Sequence, residues 1–239
     1  MNQGIYPLSA AMINQLNRVD TISNNLANSR TTGFKQDGLS EGSFNYYLQR
    51  VEQEGRVATK ESTVTNTIPK IDGKYIDETV GMISPTGNTF DFALKQRDTF
   101  FQVMNDKGNI ELTRDGTFHN VNGELVTKNG FNVLSADGEP IVIEDDAFGQ
   151  AVGVIKTAFD NLEKIGNNNY KAKNDEMTDI IEDNEMYVMQ GALEKSNVNT
   201  VSTMVALIDA QRRFEQAQKG IQTIDDINRG LIEKIGRPA

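Results

Sequence analysis

The chain has 239 residues, with 24 Lys and Arg against 34 Asp and Glu and a formal net charge of −10. Zero cysteines exclude disulfides and thiolate metal sites, and the acidic balance argues against nucleic acid, which needs a basic face to displace phosphate counterions. Hydrophobic residues make up 37%, and no apolar run approaches the roughly 18 residues of a membrane span, so no direct membrane insertion is expected.

The chain opens on a helical period. Ile5, Leu8, Met12, Leu16, Val19, Ile22 and Leu26 step by three or four, which places them on one helix face. Pro7 suits the first turn, where its missing N–H costs nothing. The stretch turns polar through Ser23, Asn24, Asn25 and Asn28, and Gly33 before Phe34 reads as a stop. The asparagines can bond backbone groups at a helix end or reach a neighbouring subunit. The first 20 residues lack a basic patch followed by an apolar core, so no cleaved secretory signal is expected.

Residues 36–75 are polar, poorly periodic and broken by Gly38, Gly42, Gly55, Pro69 and Gly73, which reads as an extended connector. Phe44, Tyr46, Tyr47 and Leu48 would form a small anchor within it.

From Gly81 the character changes to strand. Asp115-Gly116, Asn122-Gly123, Asn129-Gly130 and Asp137-Gly138 are turn signals, because Asx-Gly pairs tolerate the positive φ of tight hairpins. Between them lie short strands at 100–104, 110–113, 117–121, 124–127, 131–134 and 141–143, with a further one within 151–159. This spacing predicts an all-β barrel or sandwich.

The last stretch, Leu193 to Ile235, contains no proline. Leu207, Ala210, Phe214, Ala217, Ile221 and Ile224 alternate spacings of three and four, the period of a coiled-coil seam. Val198, Val201, Val205 and Ile208 widen the apolar face, and Ser196, Asn197 or Asn199 can cap the helix start. Arg212, Arg213 and Glu215 flank Phe214, where charges set partner and register. Such a helix would run about 60 Å, longer than one globular domain needs.

The expected fold is therefore α+β. Long N- and C-terminal helices pair as a coiled-coil stem, and an all-β domain is inserted between them. The boundaries are 1–35 for the first helix, 36–75 for the connector, 76–185 for the β-domain and 186–239 for the last helix. Residues 1–35 carry +2 and 193–239 carry +1, which leaves −13 for 36–192. Near-neutral ends can pack against copies of themselves without large repulsion.

Chemical motifs are absent. His119 is the single histidine, and Glu144, Asp145 and Asp146 read as a solvated turn rather than the spaced oxygens of a cation site. No catalytic, cofactor-binding or metal-ligating set is expected.

Two stretches carry a resemblance. SNNLANSRTTGFK (Ser23 to Lys35) resembles the N-terminal signature of the flagellar rod, hook and hook-associated axial proteins. LEKSNVNTVSTMVALIDAQRRFE (Leu193 to Glu215) is similar to the C-terminal signature of the same family. DFAL, FFQV, LTRDGTF, GELVTKNG and LEKIGNNNY between them resemble its rod subgroup. The resemblance implies a structural subunit and no enzyme. It implies helical assembly with copies of itself and other flagellar rod proteins. It also implies delivery by the flagellar type III export apparatus to the periplasmic rod of the basal body.

The resemblance puts Leu16, Val19, Ile22, Asn24, Asn25, Leu26, Asn28, Gly33 and Phe34 at subunit contacts. At the other end it puts Ser196, Asn197, Val198, Val201, Val205, Leu207, Ile208, Arg212, Phe214, Ile221 and Ile224 there. Distal rod members carry Gly-x-Gly before Phe-Phe, and here Lys95 to Thr99 contains no glycine. That favours a proximal rod position over a distal or hook-like one. A stalked β-domain adhesin, the reading from another class, would need an aromatic platform, against zero tryptophans and 7% aromatic residues.

Overall fold

The computed structural model describes residues 5–42, 70–144, 146–174, 178–181 and 184–235. Most of the expected connector, its Phe44–Leu48 anchor and Asp145 lie outside them. The chain divides into two compact units.

The first unit takes residues 1–27, 37–75 and 199–239. It contains α1 (Ile5–Ala27), β1 (Asp37–Gly42), β2 (Lys70–Ile76, the last residue excepted) and α2 (Thr200–Ile235). β1 and β2 form a two-stranded sheet. The two helices pack along each other. On α2, Thr203 and Ala210 are buried, and Leu207, Phe214, Ala217, Ile221 and Ile224 are half-buried. They form one stripe at the predicted seam spacing.

The long coiled-coil stem is not what forms. α1 has 23 residues and α2 has 36, so α1 cannot line the whole of its partner. The shared stripe is built partly from Ala210, Ala217 and Gly220 rather than from large knobs. A Cβ on Gly220 would stand 2.8 Å from Leu8 Cδ2, so the helices meet there by close approach. Val201, Val205 and Ile208, expected to widen the face, are 74%, 56% and 49% exposed. The last helix starts at Thr200, directly after Asn199, one of its three candidate caps. The preceding residues are captured by a strand ladder and by side-chain bonds, which hold their backbone extended.

The second unit takes residues 28–36 and 76–198. Its strands are β3 (Ile83–Pro85), β4 (Phe92–Leu94), β5 (Thr99–Met104), β6 (Ile110–Thr113), β7 (Phe118–Val121), β8 (Glu124–Thr127) and β9 (Asn132–Val133). They continue with β10 (Val154–Lys156), β11 (Leu162–Gly166), β12 (Asn169–Ala172), β13 (Asp179–Ile181), β14 (Val188–Gln190) and β15 (Ala192–Glu194). The main sheet is antiparallel and runs β11-β12-β6-β5-β9-β8-β7. β10 joins the edge of β5 that β9 also uses, pairing Val154 with Phe101, and β13 follows it. β14 pairs with β4 and β15 with β3.

The period of two in β5 divides the core. Phe101 and Val103 join a cluster with Phe92, Phe118, Leu125 and Val133. Phe100 points the other way, into a cluster with Leu112, Phe159 and Tyr170. Phe100 meets Phe159 edge to face at 5.1 Å, the favoured arrangement of aromatic quadrupoles.

The turn chemistry is partly as expected. Asn122 and Gly123 both have positive φ, 56° and 91°, in the two-residue hairpin between β7 and β8. Asp115-Gly116 is not a tight turn. A Cβ on Gly116 would lie 1.7 Å from the Phe92 carbonyl oxygen, so this glycine serves close approach to β4. Residues 141–143 form no named strand: Val142 makes an isolated bridge to Glu124, and Ile141 and Ile143 bond the backbones of Leu125, Val133 and Gly123.

Candidate functional site: the terminal signatures and their buried junction

α1 ends at Ala27, and its last turn is held by Asn25. That side chain is 2% exposed. Its Nδ2 donates to the Asp37 carbonyl at 2.7 Å, and its Oδ1 accepts from the Asp37 N–H at 2.9 Å. One amide thus imitates a strand partner for the first residue of β1. Asn28 accepts from the Thr31 hydroxyl at 3.2 Å. Asn24 and Leu16 are exposed, and Val19, Ile22 and Leu26 are half-buried.

Asn199 caps α2. Its Oδ1 accepts from the N–H groups of Val201 and Ser202, each at 3.1 Å, which satisfies two otherwise orphan donors of the first turn. Arg212 is exposed.

Within the second unit, residues 28–36 and 192–198 lie side by side. The Gly33 N–H donates to the Glu194 carbonyl at 2.8 Å, and the Asn197 N–H to the Phe34 carbonyl at 3.4 Å. Asn197 does not cap the helix. Its Oδ1 accepts from the Gln36 N–H at 2.8 Å, and its Nδ2 donates to the Asp77 carbonyl at 2.9 Å. Ser196 Oγ accepts from the Val198 N–H, and Val198 is buried. Phe34 is buried too, with the Lys164 ammonium 4.7 Å from its ring centroid.

Beneath this seam three charged side chains are fully enclosed. Lys35, Arg114 and Glu194 are each 0% exposed. Lys35 Nζ donates to Glu194 Oε1 at 2.7 Å and to the Thr79 carbonyl at 2.6 Å. Glu194 Oε1 also accepts from the Gly81 N–H at 2.8 Å. Arg114 brings Nε and Nη2 to Glu194 Oε2 at 2.9 and 2.7 Å. Its Nη1 donates to the carbonyls of Gln96, Arg97 and Thr99. Rigid fork geometry lets one guanidinium serve a carboxylate and a ring of carbonyls together.

Gly33 makes the close approach possible. It sits at φ +66°, and a Cβ there would fall 2.3 Å from the Arg114 carbonyl oxygen. It stands six residues beyond the end of α1, so it is a packing residue rather than the helix stop.

Burial and the neighbouring Arg114 charge push the Lys35 pKa below its usual 10.5, with Glu194 and Asp77 acting in the opposite sense. The two cations share one directly bonded carboxylate, and backbone carbonyls accept their other hydrogen bonds.

Periodicity could not have found this triad. Lys35, Arg114 and Glu194 each sit inside a recognisable sequence block, but nothing local marks a charge as buried. Among the described residues no three His, Cys, Asp or Glu side chains are placed to hold a metal ion, and no helix is long and apolar enough to cross a membrane. His119 is exposed on β7.

Comparison with known proteins matches these regions. Residues 5–35 match the family "Flagella basal body rod protein", and 96–155 match "Flagellar hook protein FlgE/F/G D1 domain". Residues 189–233 match "Flagellar basal body rod FlgEFG protein C-terminal". The chain is 30% identical to the flagellar basal-body rod protein FlgF of Mesorhizobium japonicum, covering 90% of each chain. It is 30% identical to FlgF of Rhizobium meliloti, covering 99% of each. FlgG of Buchnera aphidicola subsp. Baizongia pistaciae is 30% identical, over 92% of this chain and 93% of its own. With the two matched terminal regions carrying the paired helices and the knitted junction, the chain belongs to the flagellar basal-body rod protein family and is a structural subunit of that rod.

Proposed function

We propose that the chain is a proximal-rod subunit that assembles helically with copies of itself and with the rod proteins above and below it. In this reading it reaches the periplasmic rod through the flagellar type III export apparatus and works by stiffness alone, with no catalytic step. The result is a tubular segment that transmits torque.

The observation that carries the reading is the uncovered apolar patch at the start of α2. Val201, Met204, Val205 and Ile208 are all about half exposed or more. On α1, Ile13 and Leu16 are 59% and 49% exposed. Identical, non-closing contacts through such faces generate a helical assembly. Burial at roughly 25 cal/mol per Å² supplies the driving force over many small contacts. The glycine-free stretch at 95–99 supports the proximal position, and the similarity to FlgG keeps a distal position as the second reading.

The test is Val205→Asp in a flagellated strain that carries this gene. Basal bodies lacking a complete rod, with the purified variant unfolding in urea like the parent, support the reading. Complete rods and normal swimming would remove it. Site-specific crosslinking from position 208 to the adjacent rod protein separates the proximal from the distal position.

A further inference from the structure

We propose that Glu194 is a closing latch, which makes the sealing of one side of the β-unit, where residues 28–36 meet 192–198, conditional on the arrival of the C-terminal signature strand.

The argument begins with connectivity. Lys35 and Arg114 lie 159 and 80 residues before Glu194. A chain made N-terminus first therefore presents both cations long before the carboxylate that receives them. Among the described residues Glu194 is the one carboxylate bonded to either cation. The other acceptors are the neutral carbonyls of Thr79, Gln96, Arg97 and Thr99.

A buried cation without an anion is far costlier than a hydrated one. Before β15 docks, Lys35 and Arg114 remain in water, and the segments that carry them cannot seal. Glu194 then does three things at once. Its carboxylate pairs with both cations and accepts the Gly81 N–H. Its backbone carbonyl accepts the Gly33 N–H, while β15 pairs with β3.

The larger cluster around Phe101 and Leu125 contains none of these three residues. The latch thus closes one side of the unit and leaves the sheet's main core intact. For a chain that travels unfolded through an export channel, which rests on the function proposed above, this delays closure until residue 194 has emerged. The folding claim itself requires neither export nor assembly.

The test uses the purified full chain and amide hydrogen exchange. Glu194→Gln keeps the shape and removes the charge. The amides of Gly33 and Gly81 are expected to exchange at least about 100-fold faster than in the parent. Those of Leu125 and Ile141, bonded to the Ile141 and Val133 carbonyls, are expected to keep their protection. Protection at Gly33 and Gly81 within threefold of the parent overturns the proposal. If Glu194→Gln unfolds the unit outright, Glu194→Asp decides. It keeps the charge, and retained protection in that variant supports the latch. Glu194→Asp behaving like Glu194→Gln shows that shape, not charge, closes the junction, and the proposal fails. No outcome depends on rod formation, so this result and the test at Val205 stand apart.

Discussion

Glu194 Oε1 lies 2.7 Å from Lys35 Nζ across 159 residues of chain, with both side chains excluded from solvent. The contact joins the two most recognisable stretches of the sequence. It is not by itself a large source of stability, because dehydrating two charges offsets most of their attraction. Its weight lies in what happens when one partner is missing.

That asymmetry gives a pH prediction for Lys35. Its pKa in the folded state is lowered from 10.5, first by burial and then by Arg114. The unfolded chain therefore binds more protons at this site, and the site's contribution to stability rises with pH up to about 10.5. The unfavourable contribution is complete below the folded-state pKa. Lys35→Met removes it. Urea midpoints taken from pH 8 to 10 are expected to climb more steeply in the parent than in the variant. Parallel profiles would contradict the shift.

Gly33 predicts a backbone effect. Alanine there meets both the strained φ of +66° and the Arg114 carbonyl. A loss of about 1–3 kcal/mol is expected from the backbone strain alone, and the clash adds to it. Gly73 has open space around it and no positive φ, so Gly73→Ala is the control and is expected to be neutral or slightly stabilising. Urea unfolding of the two variants beside the parent checks both.

Asn25 predicts a local loss at the end of α1. Alanine removes both bonds to the Asp37 backbone. Each such bond contributes about 0.5–1.5 kcal/mol net. The Asp37 amide is expected to lose its exchange protection while the Leu125 amide keeps its own. An unchanged Asp37 amide would show that Asn25 does not hold β1.

Much was legible locally. The three-and-four spacing of Leu207, Ala210, Phe214, Ala217, Ile221 and Ile224 marks the stripe of α2 that is at least half-buried, because helical period is a property of neighbouring residues. Asn122-Gly123 marks its hairpin for the same reason: positive φ is a demand on one or two residues. Asn199, one of three cap candidates in the sequence, accepts from the first-turn N–H groups of α2.

The rest required the fold. Val201, Val205 and Ile208 share the helical period, yet they are exposed, because period cannot say how much of a face a partner of 23 residues covers. Ser196 and Asn197 look like caps in sequence, but Asn197 bonds Gln36 and Asp77 far along the chain. Asp115-Gly116 reads as a turn until the Phe92 carbonyl is seen to occupy the space a Cβ would need. The sequence by itself determined which segments are helical, that Asn122-Gly123 closes a tight hairpin, and which family the chain belongs to. Only the tertiary structure decided which charges are buried and which apolar faces are left open. Burial is set by contacts between residues tens to hundreds of positions apart, and no local pattern encodes them.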